Sequence, residues 1–482
     1  MGFVDELQGL IPQITEAAIE ASMREAGYRE GSCAEGSFRG AANLGTLGPG
    51  GEDNPMGFVP MDIKVTYPGG KWYLSPQYAE QWVPFEQTSW GRDGWHVPFD
   101  ATVTYLSWGK SIDAVFGRWT YVPEPTDIEG KVDTLRAVAK QLNAGGAFTD
   151  GKGEDQTVDG GNLVLNDYID YVDGELNQYN GLMIDAFDAN YASRVRPTLT
   201  GQHVVACVMG TLIAGEQKIW EDAQEDVLTL AREALKAFKA APEHHADWEA
   251  VFKVAGAALA AAGLFVTGGA GATAIGAAST VLGIIGTFQQ PPPDKPKGSV
   301  LGSTSDAIID SLWKSRDELD KAVTQQEQSL SDCGSKAAKY FAEHPEYIDI
   351  AEPSEFLENN RGEYFKDGEN IKVLMPHLRE IAARFDLISE LQSAAAGQAD
   401  GAMGDSVWTR DDRIGMSATG HYAAYQTLHG VLDGALSGSA REMHSVAGRL
   451  VQVSHDFQAT EDQIEAELKQ QTKQVQHTQP TY

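Results

Sequence analysis

The chain has 482 residues, 42% of them hydrophobic, and a formal charge of −32 from 69 acidic against 37 basic side chains. That length corresponds to roughly three domain-sized units and can bury a large core. Such a charge repels phosphate backbones and anionic lipid, which excludes nucleic acid as a partner and makes any membrane contact conditional.

The opening "MGFVDELQGLIPQITEAAIEASMREAG" lacks the basic and apolar regions of a cleaved leader and predicts a retained amphipathic helix. A Gly/Pro-rich loop follows. The section to Tyr121 then holds six of the ten tryptophans: Trp72, Trp82, Trp90, Trp95, Trp108 and Trp119. Pro60, Pro68, Pro76, Pro84 and Pro98 punctuate it, which predicts irregular backbone around aromatic rings that form either a small core or a contact surface. "DATVTYLSW" fits a strand or the start of a helix. "VPEPTDIEG" marks a boundary, giving units 1–125, 126–242, 243–298 and 299–482.

Asp127 is expected to cap a helix that runs to Asn143, ahead of the acidic loop "FTDGKGEDQTVDGG". Leu165, Ile169, Val172, Leu176 and Tyr179 then recur at steps of four and three, the seam of a packed helix. Tyr179-Asn180-Gly181 interrupts the pattern and "LMIDAFDANYASRV" resumes it. With Pro197 as a break and a further helix from Gln202 to about Ala240, residues 160–240 predict two antiparallel helices joined near Pro197.

No charged residue lies between Lys253 and Asp294. A spanning helix needs ~20 apolar residues, but Thr267-Gly268-Gly269-Ala270-Gly271 divides Val254–Phe288 into arms of ~13–17 residues. Small residues recur at four-residue steps, Gly256 with Ala260, Ala258 with Ala262 and Ser279 with Gly283, a spacing that permits close helix approach. This predicts a helical hairpin, either packed in the bundle or inserting into a bilayer after a trigger. For the second use the candidate residues are Gly256, Ala260, Gly263, Gly268, Gly269, Gly271 and Gly283.

Beyond the proline-rich linker "QQPPPDKPKG", Ser303 to Ser305 offers caps for a helix with the stripe Ile308, Leu312, Leu319, Val323, Leu330, Cys333, Ala337 and Phe341, stopped by Pro345. Shorter helices fit 353–360 and 370–396, and "SAAAGQADGAMGDS" reads as a connector. The last helices carry Tyr425, Leu428, Leu432 and Ala435, then Met443, Val446, Leu450, Val453, Phe457 and Ile464, before a polar tail expected to be unstructured. The fold class is therefore mainly α: an elongated bundle of long antiparallel helices with a central Ala/Gly-rich hairpin and an irregular aromatic N-terminal section.

Cys33, Cys207 and Cys333 match no zinc or redox spacing and read as structural thiols, with a Cys207–Cys333 disulfide left open. No Walker loop, dinucleotide fingerprint or HExxH occurs. His244-His245 are adjacent and cannot share a helix face, and Asp167, Asp170 and Asp173 read as a solvated face. No catalytic residue, cofactor or metal site is expected, and the protein is not expected to be an enzyme.

Tyr179-Asn180-Gly181, the Ala186-Phe187 pair after it, and "GEQKIWEDAQEDVLTLAREAL" ahead of the apolar hairpin resemble the WXG superfamily of type VII (ESX) secretion substrates, especially long actinobacterial members. Tyr179 stands where that family has tryptophan. Phe457-Gln458-Ala459-Thr460-Glu461 resembles its Tyr-x-x-x-Asp/Glu export signal, with Phe for Tyr. The resemblance covers roughly residues 130–290 and 415–468. It implies a helical protein secreted, or held at the cell surface, without a cleaved leader, with Tyr179 and Gly181 shaping a turn and Phe457 and Glu461 presenting the signal. Protein partners are implied: secretion machinery or further copies of the chain. The alternatives are a cytoplasmic location and an α-helical pore-former that uses the 254–288 hairpin.

Overall fold

The computed structural model describes residues 2–25, 29–30, 37–39, 62–66, 73–74, 101–178, 187–241, 243–267, 278–289, 296–351 and 375–477. These are mainly α-helical, as expected. Helix α1 (Phe3–Glu25) has Asp5 and Glu6 in its first turn, where the helix dipole favours acids, and buries Leu7, Ile14 and Ala18. Four short strands, β1 (Arg29–Glu30), β2 (Ser37–Arg39), β3 (Asp62–Thr66) and β4 (Tyr73–Leu74), pair antiparallel in sequence order. Most of the aromatic section otherwise lies outside the described residues. Its "TVTYLSW" falls in α2 (Ala101–Phe116), and Trp108 and Trp119 are buried.

Helix α3 (Pro125–Leu142) starts earlier than expected. Pro125 takes the first helical position, where its missing N–H costs nothing, and Asp127 sits inside the first turn rather than capping it. The acidic loop is a hairpin of β5 (Gly146–Thr149) and β6 (Asp155–Val158) that buries Phe148 and Val158. Helix α4 (Leu163–Leu176) is capped by the Asn162 side chain and buries Leu165, Ile169, Val172 and Leu176 of the predicted seam, whose last member, Tyr179, lies outside the described residues.

Helix α5 (Ser193–Ala240) is the axis of the fold. Pro197 does not break it. A π turn over Asp188–Ala192 leads into the helix, and α5 continues through the proline. Nor is α4 its antiparallel partner: α4 packs mainly on a later helix, while α1, α3 and three helices described below pack on α5. Every residue from Thr198 to Glu216 is buried.

The stretch after α5 is closed at its base by a two-stranded antiparallel clasp of β7 (Ala246–Val251) and β8 (Lys297–Gly302), in register from Ala246↔Gly302 to Val251↔Lys297. Between them lie α6 (Ala257–Thr267) and α7 (Ala278–Phe288), the arms of the predicted hairpin. Helix α8 (Ser305–Glu343) has Thr304 as N-cap and buries the whole predicted stripe. Helix α9 (Met375–Gly401) takes in most of the small-residue stretch expected to be a connector, and Ala395, Ala396 and Ala399 pack inward. It is α9 that receives α4. The last predicted helices are one, α10 (Tyr422–His477), which also takes in much of the tail expected to be unstructured. α10 runs antiparallel to α9, with Tyr425 bonded to Ala402 at one end and Arg379 to Ser454 at the other. One hydrophobic core runs from Phe3 and Leu7 of α1 to Leu450 of α10.

Candidate functional site

The most concentrated chemistry among the described residues is a buried cluster of Glu216, Glu327, Arg410 and His421, whose side chains are 0% exposed. Glu216 ends the sealed stretch of α5. Its Oε1 accepts from Trp220 Nε1 one turn on at 2.7 Å and from Arg410 Nη1 at 3.0 Å. Arg410 Nη2 donates to Glu327 Oε1 of α8, and Glu327 Oε2 accepts from the Met416 amide at 2.7 Å. The guanidinium carbon lies 5.1 Å from the Trp220 ring centre, a cation–π contact. His421 places Nε2 3.1 Å from the Leu212 carbonyl and Nδ1 3.4 Å from Glu216 Oε2, with its ring edge-on to Trp408.

Two glycines make room for this. Gly415 and Gly420 have φ of +71° and +50°, and a Cβ on them would land on the Glu327 carboxylate and the Arg410 guanidinium respectively. The segment between α9 and α10 can therefore fold back over the cluster. Burial raises the Glu216 carboxyl above its ordinary range, lowers the Arg410 guanidinium, and pushes His421 down to about 3. Glu216, Glu327 and His421 present ligand atoms within 4.8 Å of one another, the described residues best placed to hold a cation together. Arg410 already lies against both carboxylates as their counter-charge. With the side chains sealed from solvent, the cluster can tie α5, α8 and the 402–421 segment together but offers no surface to a substrate.

A second buried pair sits about three turns earlier on α5. His203 Nδ1 lies 2.8 Å from the Ala139 carbonyl and Nε2 lies 3.6 Å from Cys207 Sγ. Burial pushes His203 down to about 4 and the Cys207 thiol upward, so neither is charged at neutral pH. Cys207 and Cys333 are free buried thiols, so no disulfide joins them.

The hairpin arms dock on one face only. Ala257, Ala258, Ala261, Ala262, Phe265 and Val266 of α6 are buried, and a Cβ on Gly210 of α5 would strike the Phe265 ring. Gln326 of α8 bonds the Ala258 amide at 2.9 Å and the Ala255 carbonyl at 3.1 Å, and Asp226 of α5 accepts from the Val254 amide at 3.0 Å. Of the predicted membrane residues, Gly256, Ala260 and Gly283 are exposed and Gly263 is half-buried. The three glycines have open space where a Cβ would stand, so here the close approach depends on Gly210 rather than on them. Gly268, Gly269 and Gly271 lie outside the described residues.

Tyr179 and Gly181 also lie outside them, as does Ala186. Phe187 packs against Tyr191 and Phe385, with ring centres 5.9 and 5.4 Å away. It lines an apolar groove of about 120 Å³ with Tyr191, Leu378, Val446, Leu450 and Val453. Phe457 and Glu461 fall on α10, one helical turn apart. Glu216, Arg410 and His421 were not singled out from the sequence, because Arg410 stands 194 positions from Glu216 and no local spacing joins them. The one available signal was an acid ending the apolar run "VVACVMGTLIAGE". No family model, curated protein or solved structure matches the chain.

Proposed function

We propose that this chain is a non-enzymatic helical protein, exported in folded form like the type VII substrates it resembles, and that it acts through protein–protein contacts. The observation that carries this reading is the α9–α10 hairpin. α10 pairs with α9, Arg379 bonding Ser454 at 2.8 Å, and is helical on to His477. Phe457 and Glu461 follow Ser454 on this helix, an aromatic and an acid one turn apart. The apolar groove lined by Val446, Leu450 and Val453 precedes them on the same helix and suits a partner's apolar side chain. The test is export from the producing cell. Phe457→Ala and Glu461→Ala should each remain inside while Glu465→Ala leaves normally, with all three equally folded. Equal export of all three contradicts the proposal.

A second reading, membrane perturbation by the 254–288 hairpin, draws on the outward face of α6. Leu259 is 51% and Leu264 37% exposed there, beside Gly256 and Ala260. Insertion would have to undock Phe265 from Gly210 while the β7–β8 clasp holds the base. Dye leakage from liposomes at neutral or acidic pH, abolished by Leu259→Glu, would favour this reading. Its absence under both conditions would leave the hairpin as packing.

A further inference from the structure

We propose that the Glu216–His421 pair is a buried binding site for one proton, held between Glu216 Oε2 and His421 Nδ1, and that this proton lets the 402–421 segment close over α5 and α8. The inference rests on hydrogen-bond polarity. Leu212 O is a carbonyl and only accepts, so His421 Nε2, 3.1 Å away, carries a hydrogen. That leaves Nδ1 facing Glu216 Oε2 at 3.4 Å, and neither atom has another hydrogen-bond partner. Without a proton, two lone pairs oppose each other in the core. The buried charges would also be two carboxylates against one guanidinium.

One proton repairs both defects. Placed on Glu216, it makes a neutral carboxylic acid that donates to a neutral imidazole and leaves Arg410 and Glu327 as a balanced ion pair. Burial favours this placement, since it penalises a charged carboxylate and a charged imidazolium alike. The groups that face the pair come from each surrounding element: Glu216 itself from α5, Glu327 from α8, and Arg410 from the covering segment. Tyr425 of α10, packed on Trp408, directs its hydroxyl to the Ala402 carbonyl instead. A divalent cation is the rival occupant, but it would have to sit beside the guanidinium that already bridges the two carboxylates.

The sign of the pH dependence follows. In the unfolded chain Glu titrates near ~4.3 and His near ~6.5. Between those values folded and unfolded states each hold one proton on this pair, and its contribution is flat. Above ~6.5 the unfolded pair is empty while the folded pair keeps its proton, so stability falls as pH rises. Glu216→Gln is the decisive variant, because its amide reproduces the acid's acceptor at Oε1 and its donor toward His421 Nδ1. Urea unfolding of the full chain from pH 6 to 9 should show a wild-type folding constant falling by up to about tenfold per pH unit more than that of Glu216→Gln. Infrared difference spectra at pH 7 should show the carbonyl stretch of a protonated carboxylic acid in the wild type and not in Glu216→Gln. Absence of that band overturns the proposal, as do equal pH slopes or a Glu216→Gln variant that fails to fold. One equivalent of bound divalent metal, with a chelator lowering wild-type stability alone, would assign the site to a cation instead.

Discussion

Two stretches of this molecule are apolar over lengths that suggest a membrane, and they are held in opposite ways. In α5, Thr198–Glu216 is buried on every face by α1, α3, α6, α8 and the hairpin of α9 and α10. Asp188–Ala240 is the helix among the described residues long and apolar enough to cross a bilayer, and its most apolar window lies entirely inside the bundle. In the 254–288 stretch, α6 buries one alanine-rich face and leaves Leu259, Ala260 and Leu264 outside. The sealed helix carries polar residues with partners: Gln202 donates to the Ile348 carbonyl at 2.7 Å, His203 meets Ala139, and Glu216 meets Arg410. The hairpin has almost no polar side chains and depends on its neighbours for anchoring. What separates a core helix from a membrane candidate here is whether each face has a partner, which apolar composition alone does not reveal.

The largest destabilisation is expected at the polar end of the sealed helix. Arg410→Ala leaves Glu327 buried without its counter-charge and takes a donor from Glu216 Oε1. Breaking a buried pair in this way costs about 3–5 kcal/mol, which a urea midpoint at pH 7 should show. A smaller effect is expected where the two stretches meet. Gly210→Ala pushes a methyl group into the Phe265 ring, an overpacking cost of about 1–3 kcal/mol, and should loosen α6 more than α8 in local exchange. The smallest effect belongs to the outer face: Leu259→Glu should change stability by less than about 0.5 kcal/mol, since the side chain stands half in solvent.

Much of the helical framework was legible in the sequence because burial and the helical period coincide. The α8 stripe from Ile308 to Phe341 and the α4 seam from Leu165 to Leu176 are buried residue for residue. Breakers misled where a neighbour relieved them. Pro197 is accommodated after a π turn, and 393–401 stays helical with Ala395, Ala396 and Ala399 packed against the core. The two small β pairs were hidden for a different reason. β7 reads "ADWEAV" and β8 "KGSVLG", short strands whose pairing bridges 252–296 and leaves no local alternation strong enough to declare it. The buried cluster was least legible of all, since its members come from α5, α8 and the 402–421 segment and meet only in the folded chain.

Hydrogen–deuterium exchange of the native protein, read peptide by peptide, distinguishes a helix sealed on all faces from one docked on a single face. If α5 is sealed on all faces and the hairpin docks on one, amides of 198–216 should exchange only through global unfolding. Those of α6 and α7 should exchange faster, through local opening that leaves α5 protected. Equal protection of the two stretches, or earlier exchange in α5, would contradict it.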